Sequence, residues 1–285
     1  MDGSPPACRL CSGPTESKFQ LEILAKYKVS YFECRDCGSL ESQRPYWLDE
    51  TYANPSDGLD VGRAQRVVMT SLISAYILER LGTPKERISI DWGGADGLFT
   101  RLMRDRGFSF LSYDKYQKSS FAEHFSVGDP GSVKPAAVTM FEVFEHLADP
   151  GTELGEVFSL KPDVLIFTTE PYKGQGPDWT YLVPRNGKHV FFYSGKALEW
   201  IAERYQYALA WFGMVGVYAS QELLRGDEAG DGWRGLREGI ASLVPDAALS
   251  FARHLSGEPW KHVQSDHQKV TRKLSGEGPG NTEAK

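Results

Sequence analysis

Four cysteines near the start of the chain have the spacing of a metal site. Cys8 and Cys11 form one Cys-x-x-Cys pair, Cys34 and Cys37 form a second, and 22 residues separate the two pairs. Zinc takes four thiolates in a tetrahedron, and a hairpin between two such pairs brings four sulfur atoms to one point. Disulfides are the alternative, but thiols stay reduced in a cytoplasmic protein. The spacing therefore predicts a structural zinc ribbon, whose closed site leaves no position for catalysis.

A glycine-rich turn in the middle of the chain has the composition of a nucleotide-binding loop. The residues over 88–92 predict a buried strand that contains Asp91, and Gly93, Gly94 and Gly97 lie in the turn that follows it. Glycine lets the backbone turn tightly and approach a ligand without a Cβ clash. A strand, a glycine turn and a helix in this order receive an adenosine-containing ligand in α/β proteins.

Asp114 strengthens the prediction of a nucleotide site. It ends a second short strand, over 108–113. An acid about twenty residues beyond the first glycine can accept hydrogen bonds from both ribose hydroxyls. In a dehydrogenase that ribose belongs to NAD, so an NAD enzyme is one alternative. A helix cap or a turn is the purely structural interpretation of this aspartate.

Two segments resemble a known family. Asp-x-Gly-x-x-x-Gly, over 91–97, is similar to motif I of the class I S-adenosylmethionine-dependent methyltransferases, although that family usually has glycine where Ala95 stands. The run Phe-Glu-Val-Phe-Glu-His-Leu-x-Asp-Pro, over 141–150, looks like the segment after strand four of many small-molecule methyltransferases, and dehydrogenases do not usually carry it. The resemblance implies that S-adenosylmethionine is the cofactor. The residues implied to bind it are Asp91, Gly93, Gly94, Ala95, Gly97, Asp114, Phe141 and Glu142.

A long loop over 168–194 is predicted to hold the methyl acceptor. It leaves the carboxyl end of a predicted strand, and loops of this length in compact domains are usually binding loops or lids. It resembles the acceptor loop of methyltransferases from glycan and natural-product pathways, which carry Asp-Trp-x-Tyr followed by Gly-x-His. The aromatic side chains that offer flat contact faces are Trp179, Tyr181 and Tyr172, for which packing within the lid is the alternative.

Methyl transfer to a hydroxyl also requires removal of a proton, which predicts a general base near the acceptor. Histidine is the first candidate because it titrates near neutral pH. We favour His189, which lies on the acceptor loop, over His146 and Glu142, which follow the strand over 136–141. Glu145 and His146 have a second interpretation, as residues that only fix the loop and cap the next helix.

The elements that position these residues alternate between strand and helix, which is typical of a mostly parallel sheet with helices on both faces. The resemblance implies a Rossmann-like, seven-stranded methyltransferase sheet. Strands are predicted over 88–92, 108–113, 136–141, 163–169, 206–212 and 215–219, with a weaker one near 125–127. Helices are predicted over 62–81, 97–106, 150–160, 194–205 and 233–254. We expect a zinc ribbon over 1–50, a methyltransferase domain over 51–225, and a C-terminal helical extension with a disordered tail over 226–285.

Composition limits the partners. The chain has 285 residues and a net charge of −6, which argues against a strong polyanionic partner. Residues 1–50 carry six basic and eight acidic side chains, so the ribbon is a poor phosphate binder. No apolar run is long enough to span a membrane, and the first residues have no signal-peptide pattern. We expect a cytoplasmic protein, and the sequence does not indicate its oligomeric state.

These observations predict an S-adenosylmethionine-dependent enzyme that methylates a small-molecule, sugar or natural-product acceptor, with oxygen favoured as the attacking atom. Two alternatives of a different kind remain. One is an RNA methyltransferase that holds RNA with its ribbon, which the acidic ribbon disfavours. The other is a methyltransferase-like scaffold that binds a partner and has no catalytic activity, which the glycines and Asp114 disfavour.

Overall fold

The computed structural model of the protein describes residues 5–53 and 60–243, together with Arg272. Ten strands and seven α-helices occur within these ranges. In chain order they are β1 (Thr15–Ile23), β2 (Tyr27–Cys34), β3 (Leu40–Ser42), α1 (Leu48–Ala53), α2 (Arg63–Arg80), β4 (Ser89–Trp92), α3 (Leu98–Asp105), β5 (Phe110–Tyr113), β6 (Ala137–Met140), α4 (Pro150–Ser159), β7 (Val164–Thr168), β8 (Phe191–Phe192), α5 (Gly195–Tyr205), β9 (Tyr207–Phe212), β10 (Val215–Ser220), α6 (Gln221–Leu224) and α7 (Asp227–Leu243).

The main sheet has the strand order β5-β4-β6-β7-β10-β9. The first four strands are parallel, and β10 runs antiparallel to both β7 and β9. Every residue of β4, β6 and β7 is buried, because parallel strands inside a sheet are covered on both faces. The predicted α/β, Rossmann-like fold class is confirmed.

One of the seven predicted strands does not form. Where a weaker strand near 125–127 was predicted, the described chain has only an isolated parallel bridge between Ser126 and Ser112 of β5. Residues 123–125 form a 3₁₀ turn instead. The sheet therefore has six strands within the described residues.

Helices cover both faces of the sheet. On one face, Leu78 of α2, Met103 of α3 and Leu236 of α7 share a buried cluster with the strands. On the other face, Val157 of α4 and Ile201 of α5 do the same. Sequence signals begin two of these helices: the Asp149 carboxylate accepts from Thr152 N–H at α4, and the Ser194 hydroxyl accepts from Ala197 N–H at α5.

The four-cysteine region forms a second, antiparallel sheet with the order β1-β2-β3-β8. Its fourth strand, β8, comes from the predicted acceptor loop and pairs with β3 through Leu40 and Glu41. The ribbon therefore shares a sheet with a segment that lies about 150 residues later in the chain. Phe191 of β8 also lies in the same buried cluster as Cys34 and Cys37.

Arg9 connects the ribbon to the rest of the protein by hydrogen bonds. Its guanidinium donates to the carbonyl oxygens of Ala148 at 2.7 Å and Val190 at 2.8 Å, and to Glu41 Oε2 at 3.2 Å. Glu41 is 1% exposed, and burial raises the pKa of its carboxyl, although Arg9 opposes that shift. The planar guanidinium suits this role because it presents five donors in fixed directions.

Helix α2 occupies the predicted 62–81 segment, and α1 was not predicted. Helix α7 begins six residues before the predicted 233–254 helix, and the rest of that helix and the predicted disordered tail lie outside the described residues. The division of the chain into three domains remains a prediction. Among the described helices, none is long and apolar enough to cross a membrane.

Candidate cofactor and acceptor sites

One large cavity, of about 1240 Å³, lies at the carboxyl ends of β4, β5, β6 and β7. Open α/β sheets bind ligands at this edge. The glycine turn and the residues after β5 form one part of the wall, and α2 forms a second. The acceptor loop and the segment after β6 form the opposite part, which includes Glu142, His146, Tyr181 and His189.

The glycine turn is shaped by close packing beneath it. A Cβ on Gly94 would lie 2.7 Å from Asp91 Oδ2, and one on Gly93 would lie 2.5 Å from Val143 Cγ2. Gly93 also has φ +77°, a conformation that favours glycine. Ala95, where the resembled family has glycine, has φ +47° and lines the cavity. Gly97 does not line the cavity: with φ +79°, it begins α3.

The two predicted acids of the cofactor site have different environments. Asp91 is 3% exposed, and its carboxylate accepts from Thr139 Oγ1 at 3.0 Å and Thr100 Oγ1 at 3.2 Å. Burial raises the pKa of Asp91 to about 7. Asp114 lines the cavity, and its Oδ2 accepts from Ala95 N–H at 2.9 Å. The geometry makes Asp91 a support beneath the turn and leaves Asp114 facing the ligand space.

Two arginines at the start of α2 pair with carboxylates of the cavity. Arg63 makes a bidentate pair with Asp96 in the glycine turn, at 2.6 and 2.7 Å. Arg66 Nη2 donates to Asp60 at 2.6 Å, and its Nε lies 3.7 Å from Glu142 Oε2. Bidentate pairs of this kind hold α2 over the turn.

Glu142, a candidate for both cofactor binding and catalysis, is held in a constrained conformation. Its φ of +54° is unusual for a residue with a side chain. Thr168 fixes it twice: the hydroxyl accepts from Glu142 N–H at 2.9 Å and donates to Oε1 at 3.0 Å. Phe141, the neighbouring cofactor candidate, also lines the cavity.

The structure brings the two candidate histidines together, 43 positions apart in sequence. The ring centroids of His146 and His189 are 5.1 Å apart, and both residues line the cavity. His189 Nδ1 lies 2.6 Å from the carbonyl oxygen of Tyr181. Burial lowers the pKa of His189 to about 4 and lowers that of His146 well below its usual range. Both imidazoles are therefore neutral at neutral pH.

Glu145 is a residue whose role the sequence did not reveal. It is 0% exposed, and neither carboxylate oxygen has a hydrogen-bond partner among the described residues. Burial and the negative charge of Glu142 raise the pKa of Glu145 to about 8. Its carboxylate lies within 4.8 Å of ligand nitrogens of both His146 and His189. The sequence signal was present in the Glu-His pair at 145–146, but its connection to His189 depends on the fold.

The structure corrects the prediction for two of the three acceptor-loop aromatics. Tyr181 lines the cavity, but Tyr172 and Trp179 do not. Tyr172 is 3% exposed, and its hydroxyl donates a hydrogen bond to Glu33 Oε2 of the ribbon at 2.7 Å. Trp179 packs in the same cluster and donates Nε1–H to Glu170 at 2.9 Å. These two side chains attach the loop to the ribbon, because the apolar face of β1–β3 needs covering.

The four predicted zinc ligands do converge. Cys8, Cys11, Cys34 and Cys37 are free thiols whose sulfur atoms all lie within 4.8 Å of one another. The Cys8–Cys37 and Cys11–Cys34 sulfur distances are 3.8 and 3.5 Å, far longer than a disulfide bond. Burial raises the pKa of Cys11 to about 12. Four convergent sulfurs could hold one metal ion.

Comparison with known proteins identifies the family to which the chain belongs. The family model described as a methyltransferase domain matches residues 65–210, about half of the chain. The chain belongs to this methyltransferase family. It is an S-adenosylmethionine-dependent methyltransferase, and the matched residues include the glycine turn, Asp114, the Glu-His pair and His189. No curated protein matches the sequence.

Several solved structures are similar to this methyltransferase at low identity. One is the 1,6-didemethyltoxoflavin N1-methyltransferase of Burkholderia thailandensis, with 12% identity, a TM-score of 0.48, and coverage of 70% of this chain and 98% of the other. A second is the magnesium protoporphyrin IX methyltransferase of Synechocystis with bound S-adenosylhomocysteine, with 16% identity, a TM-score of 0.44, and coverage of 62% and 98%. A third is human N-acetylserotonin methyltransferase, with 14% identity, a TM-score of 0.38, and coverage of 59% and 57%.

The cavity of the methyltransferase fits its cofactor. The space over Gly93 and Gly94 leaves backbone accessible to a ligand. The Asp114 carboxylate lines the same space and accepts from the N–H groups of Ala95, Tyr116 and Gln117, which leaves about one of its four lone-pair sites for a ribose hydroxyl. When bound, S-adenosylmethionine supplies a methyl group already activated on a sulfonium.

Proposed function

We propose that this methyltransferase transfers a methyl group to a hydroxyl oxygen of a small-molecule acceptor, sugar-like or natural-product in type, bound in the cavity beside the cofactor. The observation that carries the proposal is the shared cavity: the cofactor turn lies on one side, and Tyr181, His146 and His189 lie on the other. A volume of about 1240 Å³ has room for both a nucleoside cofactor and a small acceptor. The enclosing loop aligns donor and acceptor.

We further propose that His189 activates the acceptor hydroxyl, with His146 and Glu142 as the other candidates. A carbonyl oxygen only accepts hydrogen bonds, so the contact with Tyr181 assigns the proton to Nδ1 of His189. Its Nε2 then carries a free lone pair at the cavity wall. In the simplest mechanism this nitrogen takes the acceptor proton as the oxygen attacks the methyl carbon. Glu142 is less available because Thr168 and Arg66 contact its carboxylate.

The test is a comparison of turnover and cofactor affinity in His189→Ala. Wild-type protein and S-adenosylmethionine are incubated with a panel of hydroxylated sugars and phenols, and S-adenosylhomocysteine formation is measured. Loss of the activating group should lower turnover by about 10²–10⁴-fold and leave S-adenosylhomocysteine affinity nearly unchanged. His124→Ala is the matched control, because His124 is exposed and does not line the cavity. Near-normal turnover in His189→Ala, or a product methylated on nitrogen or carbon, would contradict the proposal.

We propose that the ribbon holds one structural zinc ion through Cys8, Cys11, Cys34 and Cys37. The four free sulfurs already converge, and a module of this size needs a metal to fold. Four unpaired thiols also favour a reducing compartment, which supports a cytoplasmic location.

A further inference from the structure

We propose that Glu145, His146 and His189 bind one divalent transition-metal cation at the acceptor end of the cavity. The three side chains offer one carboxylate and two imidazole ligand atoms, all within 4.8 Å of one another. Two histidines and one carboxylate suit first-row divalent cations and leave coordination positions open. Ligand bonds of about 2.1 Å bring such atoms somewhat closer together, which small side-chain rotations can supply.

The orphaned carboxylate of Glu145 is the first observation behind this site. The side chain is completely buried, and neither oxygen has a hydrogen-bond partner among the described residues. The Tyr181 hydroxyl is close enough to oppose the rise in the pKa of Glu145, but it lies 3.4 Å from the Thr169 hydroxyl and makes no hydrogen bond of normal geometry to Glu145. Buried carboxylates are normally paired or bound to metals. A cation shared with the two imidazoles would provide the missing partner.

The orientation of His189 is the second, independent observation. Its Nδ1–H is held by the Tyr181 carbonyl at 2.6 Å, which leaves Nε2 as a free donor of a lone pair. Metal-ligating histidines commonly donate their other ring N–H to a backbone carbonyl, which fixes the tautomer and the ring direction. Both His146 and His189 line the cavity, so an open coordination position would face the acceptor.

This inference rests on the proposed O-methylation and replaces its simplest mechanism, because the lone pair of His189 Nε2 cannot both bind a cation and take the acceptor proton. A cation at this position would take an oxygen lone pair of the acceptor hydroxyl and lower the pKa of that hydroxyl. The O–H bond breaks and its proton passes to water; the oxygen then forms a bond to the methyl carbon as the carbon–sulfur bond breaks, and that electron pair stays on sulfur. In this mechanism His189 activates the acceptor as a cation ligand and does not itself take the proton.

The binding test uses Mn²⁺ with the full chain as purified, without a chelator, so that the ribbon keeps its own metal. Mn²⁺ is chosen because it prefers oxygen and nitrogen ligands to thiolates, and its paramagnetic resonance reports the free ion directly. We expect one Mn²⁺ bound per chain. Glu145→Gln keeps the side-chain volume and removes the charge, and should weaken binding by about tenfold or more.

The control is Glu153→Gln, which removes a second carboxylate that lines the same cavity but lies outside the cluster, and Mn²⁺ binding should persist. His146→Gln gives a second test if Glu145→Gln fails to fold, which circular dichroism would show. Absence of Mn²⁺ binding to the wild type at about 1 mM would overturn the inference. The inference would also be overturned if a folded Glu145→Gln or His146→Gln variant bound Mn²⁺ as tightly as the wild type does.

Turnover assays separate this inference from the proposed function. If methyl transfer to oxygen is unaffected by a chelator that removes Mn²⁺ but leaves the ribbon folded, the catalytic role of the cation is wrong and the O-methylation proposal stands. If Mn²⁺ binds at the cluster but no hydroxylated acceptor is methylated, the site is real and the proposed acceptor class is wrong.

Discussion

At the scale of single residues, burial decides what the acids and histidines can do. The carboxyl groups of Asp91 and Glu145 are both buried. Asp91 accepts hydrogen bonds from two threonine hydroxyls, whereas Glu145 has no hydrogen-bond partner in the described structure. Hydrogen bonds to an ionised carboxylate partly offset the free-energy cost of its desolvation and so limit the rise in its pKa. A buried carboxyl group therefore supports the cofactor turn in one place, and in the other it is the ligand of the cation site that we propose.

The raised pKa of Asp91 predicts a pH-dependent stability. The carboxyl ionises near pH 3.9 when unfolded but only near pH 7 when folded, so the unfolded state loses its proton first and stability falls as pH rises between these values. Over that window the loss amounts to as much as roughly 4 kcal/mol. Asp91→Asn has no proton to lose, so this part of the decline should vanish.

Urea unfolding at several pH values between 4.5 and 7.5 measures this effect. The free energy of unfolding of Asp91→Asn should rise relative to that of the wild type as pH increases. Asp49→Asn, which changes an exposed aspartate, is the control. A difference between Asp91→Asn and wild type that stays constant across the range would show that Asp91 does not titrate as proposed.

At the scale of elements, the turn between β4 and α3 tolerates few substitutions. Its turn packs directly on the Asp91 carboxylate below and faces the cavity above. This is why the spacing of the glycines, rather than their number alone, predicts the cofactor edge. It is also why alanine is tolerated at position 95, where the side chain has space in the cavity.

Gly94→Ala tests the turn. The added Cβ would lie 2.7 Å from Asp91 Oδ2, so the turn must shift, at a cost of about 1–3 kcal/mol in stability. Because the shift moves backbone that faces the ligand, affinity for S-adenosylhomocysteine should fall about tenfold or more, measured by calorimetry. Gly128→Ala, where a Cβ would meet nothing within 4 Å, should change neither quantity. Unaltered affinity in Gly94→Ala would exclude this turn as the cofactor site.

At the scale of the whole molecule, the ribbon and the acceptor loop form one structural unit. Strand β8 completes the ribbon sheet, Tyr172 donates to Glu33, and Arg9 binds the carbonyl oxygens of Ala148 and Val190. His189 directly precedes Val190. The proposed zinc site of the four cysteines is therefore expected to stabilise the acceptor wall without taking part in the chemistry.

Cys34→Ser should separate the support of the acceptor wall from the binding of the cofactor. Loss of one thiolate should release the metal and disorder the ribbon, and with it the acceptor wall. We expect turnover to fall far more than affinity for S-adenosylhomocysteine, because the glycine turn lies on the main sheet. Elemental analysis, kinetics and calorimetry measure the three quantities, with Ser17→Ala, an exposed change on β1, as the control. Normal turnover in a zinc-free variant would show that the ribbon does not support the acceptor wall.

Local patterns in the sequence were sufficient for much of this molecule. Alternation of apolar strands and amphipathic helices predicted β4 to β7, α2 to α5 and the β9–β10 hairpin, because these elements bury their own periodic faces. The cysteine spacing predicted a convergent cluster, and the glycine turn and Asp114 predicted the cofactor edge, because in each case the residues are close in sequence or lie at the ends of neighbouring strands.

Only the tertiary structure decided the acceptor end. Tyr172 and Trp179 face the ribbon and not the cavity, since a two-residue strand, β8, pairs with β3 and turns that part of the loop toward the ribbon. The meeting of Glu145 and His146 with His189 depends on where the loop folds back, with Val190 N–H donating to the Glu145 carbonyl at 2.8 Å. A pairing of this kind has no signal in local sequence, because it arises from contacts between segments far apart in the chain, whereas periodicity and spacing report only on residues that are near one another.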